Sequence, residues 1–267
     1  MKTANWKTLL VSVVCLMLLS TAMVQIVSAM STKDTKILLW EDFESNRNVA
    51  NVWSTTTGVG GGDGSGGVAP GGSWTVVTDG TGNHVFQAAS TDWRGTAAFA
   101  GDTRWKDYMI EARTLLTDAN YWGLIVRADQ TGKTFYSVYL NTNGLHDTDG
   151  NPAVGLVTEL WKHDNGIWKR NGIGGGGDPS ITAANLGSWI DIKVEVTNTA
   201  NGVEFNMFIK LDGPQYTYPS TPQMHALDDG TIAGSPKTSG RIGLINYDNP
   251  APPKNAWFDD VIVTTSK

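Results

Sequence analysis

The chain has 267 residues, with 20 Lys and Arg against 26 Asp and Glu, and a single cysteine. A net charge of −6 without a basic block argues against nucleic acid as a partner. One cysteine, Cys15, excludes an internal disulfide framework and cysteinyl metal sites. At the N-terminus, Lys2 and Lys7 form a positive region, the residues between Thr8 and Ser20 form an apolar run, and Val27-Ser28-Ala29 supplies small residues for cleavage. This reads as a secretory leader over residues 1–29, ahead of one domain over residues 30–267. The run is shorter than the roughly 20 apolar residues of a membrane span. The expectation is a secreted, bacterial-type extracellular monomer with no stable membrane insertion.

Beyond the leader, short alternating segments recur between clusters of Gly, Asn, Asp and Pro, and no amphipathic helix pattern is found. The predicted strands are 37–43, 73–78, 84–88, 96–99, 108–116, 121–128, 134–141, 155–163, 167–170, 189–197, 203–211, 240–247 and 256–264. Asp164-Asn165-Gly166 is a hairpin turn signal. Two glycine-rich stretches, 58–72 and 172–177, read as rim loops and lack the context of a phosphate loop. Residues 212–239, with four prolines, read as one long excursion. The pattern predicts an all-β, two-sheet antiparallel jelly-roll sandwich.

The stretch from Trp105 to Arg170 is the most informative. Side chains alternate across a strand, so each segment has an apolar row and a second, polar or aromatic row. In YWGLIVRA the second row holds Tyr121 and Arg127. In FYSVYLN it holds Phe135, Ser137, Tyr139 and Asn141. In GLVTELWKH it holds Glu159, Trp161 and His163. Ten of the eleven tryptophans lie beyond the leader; some belong to a core and others suit sugar rings, whose C–H faces pack on aromatic faces.

Seven segments in order carry a family resemblance: LLWEDFES, WTVVTDG (74–80), WKDYMIEAR (105–113), YWGLIVRAD (121–129), FYSVYL, SGRIGL and AWFDDVIV. Together they resemble the concanavalin A-like, laminin-G-like jelly rolls of bacterial secreted glycan-active proteins, over nearly all of residues 37–264. That resemblance implies a fold and a carbohydrate partner, an extracellular polysaccharide. It does not carry catalytic residues across. The jelly-roll β-glucanases have Glu-x-Asp-x-x-Glu on one strand, whereas the nearest segment here, Asp191 to Glu195, lacks the first Glu and has Lys193 on the face. The Arg-rich and Gln-x-His strands of the jelly-roll alginate lyases are missing in that form.

Residue type suggests chemistry for the second row. β-Elimination on a uronic-acid polymer needs a group to neutralise the sugar carboxylate, a base for the C5 proton and an acid for the leaving oxygen. Arg127, Tyr139 and His163 are the catalytic candidates. Tyr121, Asn141, Glu159, Trp161, Lys162 and Lys169 are the substrate-binding candidates. The leading expectation is a polysaccharide lyase acting on an acidic glycan. A stand-alone carbohydrate-binding protein, a glycoside hydrolase and a surface adhesion domain are the alternatives, because one fold serves all of them. Glu41 and Asp42 on the first strand and Asp259 and Asp260 on the last would form a structural calcium site if the terminal strands lie side by side. The resemblance supports such an ion; ordinary acidic edge residues are the alternative.

Overall fold

Alternating apolar residues in this chain generate strands whose inner faces close on one another. The computed structural model describes residues 35–45, 49–57, 72–90, 95–117, 121–145, 154–231, 234–247 and 255–266. Among them are fifteen strands and no α-helix. In chain order they are β1 (Ile37–Glu41), β2 (Ser54–Thr57), β3 (Gly72–Thr78), β4 (His84–Ser90), β5 (Thr96–Ala100), β6 (Tyr108–Leu115), β7 (Tyr121–Ala128), β8 (Phe135–Asn141), β9 (Leu156–Asp164), β10 (Ile167–Asp178), β11 (Trp189–Thr199), β12 (Gly202–Leu211), β13 (Met224–Asp228), β14 (Arg241–Tyr247) and β15 (Asn255–Thr265). The leader, the first glycine-rich stretch up to residue 71, and the 146–153 segment lie outside the described residues.

Two antiparallel sheets form a concanavalin A-like sandwich. One sheet runs β13-β12-β11-β6-β15-β4-β3, with β1 also pairing β15; the other runs β10-β9-β8-β7-β14-β5-β2. The inner rows fill the space between them: Ile110 and Ala112 of β6, Ile192 and Val194 of β11 and Phe205 of β12 meet Trp122 and Leu124 of β7, Val138 and Leu140 of β8 and Leu160 of β9. Burial of this apolar surface drives the closure. Polar groups inside the sandwich bridge the sheets: Trp122 Nε1 donates to Thr114 Oγ1 at 3.0 Å, and Asn246 Nδ2 to the Ala88 carbonyl at 3.1 Å. Near β4, Phe43, Trp53, Trp74 and Phe258 surround Phe86, so several tryptophans are core residues.

The second glycine-rich stretch is strand, not loop: Gly174–Gly177 pair with Leu160–Val157 of β9. The reason is close packing between the sheet edges. A Cβ on Gly174 would lie 2.6 Å from Ala226 Cβ, and one on Gly176 would overlap the Gln223 carbonyl oxygen. Glycine lets β10 approach β13 where any side chain would hold it off. The long excursion likewise contributes a strand, β13, which extends the larger sheet at β12. Asn165 and Gly166 both take positive φ and close the β9–β10 hairpin.

Candidate functional site

The outer face of the seven-stranded sheet is assembled from cross-strand rows. One row carries Val157, Asn141, Tyr121 and Tyr247; the next carries Glu159, Tyr139, Gly123, Ile245 and Ala97. The third carries Trp161, Ser137, Ile125, Gly243 and Phe99. Below these lie His163 and Phe135, with Ala128 and Arg241 beside them. Period-two alternation and register therefore bring Tyr121, Tyr139, Asn141, Glu159 and Trp161 onto one surface, as the sequence suggested.

Two features organise this surface. Tyr121 packs edge-on against both Tyr139 and Tyr247, with ring centroids 5.8 Å apart in each case. Beside them, the Glu159 carboxylate accepts from Asn141 Nδ2 at 3.0 Å and from Trp161 Nε1 at 2.6 Å. Hydrogen bonds to both oxygens fix the carboxylate and the indole together. Tyr121, Glu159, Trp161 and Tyr247 are partly buried, so each offers an accessible part over a packed base of Ile125, Tyr139 and Ile245.

Arg127 and Lys162 leave this face. Arg127 has φ of 58°, and the β7–β14 register shifts beside it. This bulge breaks the alternation and sends the guanidinium to the end of the sandwich. There it donates to the Thr238 carbonyl, lies 5.4 Å from the Tyr108 ring and sits 3.7 Å from Asp107. Arg127 N donates to Tyr108 Oη at 2.8 Å. Lys162 follows Leu156, Thr158 and Leu160 on the inner row of β9 and is 1% exposed. Its ammonium donates to Asp228 Oδ2 at 2.8 Å and to the carbonyls of Gly234 and Ser235 at 2.7 and 2.9 Å. The Tyr136 hydroxyl donates to the same Asp228 oxygen and accepts from Lys237 N at 2.9 Å. Lys162 thus joins the two sheets and ties down the loop after β13. Lys169 pairs in register with Lys162, and its side chain lies outside the described residues.

His163 stacks on Phe135, ring centroids 4.1 Å apart, with Nε2 2.9 Å from Ser137 Oγ. Burial pushes its imidazole down to about 3, and holds the Tyr139 phenol well above its ordinary range. Both are therefore neutral near pH 7. Tyr139 and His163 share a face, but the bulge separates Arg127 from them, so the three catalytic candidates do not form one constellation.

The terminal strands do lie side by side, with Glu41 opposite Val261. Asp259 and Glu41, however, face other partners, while Asp260 lies within electrostatic reach of Asp42. Asp259 Oδ2 accepts from Asn83 Nδ2 at 2.8 Å and lies 3.6 Å from Arg113; its Oδ1 accepts from Asp260 N at 2.8 Å. Glu41 Oε1 accepts from Phe43 N at 3.2 Å, and Asp42 Oδ1 from Glu44 N at 3.2 Å. Among the described residues, no three His, Cys, Asp or Glu side chains converge as a metal ligand set. On the outer face of the larger sheet, a depression of about 400 Å³ is lined by Glu111, Arg113, Asp191, Asp212 and Asp260. Its charges are largely paired: Tyr218 donates to Glu111, Lys210 to Asp191, and Arg113 lies 2.9 Å from Asp212.

Sequence reasoning missed Tyr247 and Arg241. The signal was present, since Arg241, Gly243, Ile245 and Tyr247 alternate along β14; only sheet order shows that β14 adjoins β7. Arg241 occupies the far end of the outer face, 4.8 Å from the Phe99 ring centroid, and donates to the Asp129 and Gln130 carbonyls and to Ser54 Oγ.

No protein-family model matches the chain, and no curated protein matches it. Solved structures do. A protein of unknown function with a galectin-like fold from Bacillus subtilis aligns with TM-score 0.52 and 14% identity, over 86% of this chain and 97% of that one. A GH43 glycoside hydrolase, engineered to display endo-xylanase and exo-arabinofuranosidase activity, aligns with TM-score 0.50 and 8% identity, over 89% of this chain and 42% of that one. The carbohydrate binding module CBM66 from Bacillus subtilis aligns with TM-score 0.48 and 16% identity, over 81% and 98%. At these identities the first two likenesses establish the fold alone.

Proposed function

We propose that this protein binds polysaccharide on the outer face of the seven-stranded sheet, without cleaving it. The observation that carries the reading is the Tyr121–Tyr139–Tyr247 cluster beside a Glu159 carboxylate fixed by Asn141 and Trp161. Aromatic rings offer packing surfaces to sugar C–H faces, and a fixed carboxylate accepts from sugar hydroxyls. The shared fold with a glycoside hydrolase is consistent with glycan handling. The leader-like segment supports export, which gives the protein access to extracellular polysaccharide.

β-Elimination is the weaker reading, because Arg127 and Lys162, two of the three cations that would serve it, are committed to contacts off this face. Both readings are tested on one polysaccharide panel. Retention that disappears in Tyr121→Ala and Trp161→Ala, with neither unsaturated uronate absorbance nor new reducing ends, supports binding alone. Appearance of either product, at a rate proportional to protein, overturns it.

A further inference from the structure

We infer that this site selects neutral, hydroxyl-rich glycans and discriminates against uronate-bearing ones; the inference rests on the binding reading above. The determinant is Glu159. Its two oxygens each accept one hydrogen bond within the protein, from Asn141 Nδ2 and Trp161 Nε1. A carboxylate has about four acceptor positions, so one remains on each oxygen. Two adjacent acceptors suit two neighbouring sugar hydroxyls, both of which are donors. A uronate carboxylate has no proton to give there and meets a like charge instead.

The fold strengthens this selectivity by placing Arg127 and Lys162 off this face. Arg127 is turned out of the row by its bulge, and Lys162 lies on the inner row against Asp228. Arg241 shares the outer face, but it stands four residues along the strand direction from the row of Glu159 and Tyr139. At roughly 3.3 Å per residue that is about 13 Å, well outside direct contact with the carboxylate. Its Nε, NH1 and NH2 already donate to Asp129, Ser54 and Gln130. Among the described residues, the charge next to the aromatic cluster is therefore negative. A like charge within about 4–6 Å of a partly buried carboxylate weakens binding by about tenfold or more.

The test uses the full chain and uronate polymers in two forms, native and carboxyl-reduced, beside neutral glucans and xylans. Affinity is measured by gel retardation and titration calorimetry. Binding to neutral or carboxyl-reduced polymers, at least about tenfold tighter than to native uronate forms, is expected, with a gap that narrows at high salt. Glu159→Gln should shrink the gap, because it keeps an acceptor and removes the charge. Native uronate polymers bound as tightly as reduced ones, with Tyr121→Ala still abolishing retention, would overturn the selectivity while leaving the site in place. An unchanged gap in Glu159→Gln would overturn the role of that residue. Retention on no polymer, or retention indifferent to Tyr121→Ala, would overturn the site itself.

Discussion

Lys162 shows how one inward-facing residue changes the meaning of a basic sequence. Its ammonium has three donors, and Asp228, Gly234 and Ser235 supply three acceptors. Removing one member of a buried pair leaves the other charge uncompensated, at a cost of about 3–5 kcal/mol. Lys162→Met is expected to lower unfolding stability by that order in urea titration. A double change, Lys162→Met with Asp228→Leu, should recover part of it, since no orphan charge remains although the Tyr136 hydroxyl and Gly230 N lose their acceptor. Equal stability of single and double variants would refute the pairing. At Asp259, burial raises the carboxyl from 3.8 to about 6, with the neighbouring Asp260 adding to the shift. A group raised in the folded state contributes stability at low pH and loses it as pH rises through the folded value. Asp259 thus makes stability fall between about pH 4 and 6, and Asp259→Asn should remove that component of the pH profile, read from melting temperatures.

At the scale of elements, the β10–β13 contact decides where the sheet edges meet. Gly174 and Gly176 face Ala226 and the Gln223 carbonyl, while a Cβ on Gly175 would meet only the Thr158 oxygen at an ordinary 3.4 Å. Gly176→Ala is therefore expected to destabilise by about 1–3 kcal/mol through overpacking, and Gly175→Ala to change stability far less. Equal effects at 175 and 176 in chemical denaturation would show that edge packing is not the cause. The β7 bulge is a second decisive element. One residue with positive φ sends Arg127 inward and returns Ala128 to the outer layer. An alternation count through YWGLIVRA has no means of registering that change, because the extra residue appears only when β7 is paired with β14.

Across the whole molecule, the two sheets have opposite uses. The inner faces form the main core, the outer face of the smaller sheet carries the candidate glycan site, and the outer face of the larger one carries largely paired charges around Arg113 and Trp189. Binding should therefore survive Trp189→Ala and fail in Trp161→Ala, measured by retention on the same insoluble glycan; the reverse pattern would relocate the site to the other sheet. Terminal strands β1 and β15 are joined by their ladder, and Asp259 ties β15 to Asn83 ahead of β4 and to Arg113 of β6. Melting temperature is expected to stay unchanged on calcium addition or chelation, and a rise with calcium would restore the ion proposed from sequence.

The amino-acid sequence alone determined the sandwich, because alternation and turn residues are local properties that each strand carries by itself. It also grouped Tyr121, Tyr139, Asn141, Glu159 and Trp161, since these sit at regular period-two positions on consecutive strands. What required the tertiary structure was everything set by non-local pairing. The place of β14 beside β7 added Tyr247; the bulge removed Arg127; the facing of Lys162 toward Asp228, 66 residues away, turned a presumed groove cation into a cross-sheet tie. The glycine tract of β10 is strand through its pairing with β9, and its glycines let β13 approach closely. Local sequence sets which way a side chain alternates, whereas charge pairing and backbone approach depend on which distant strand lies opposite.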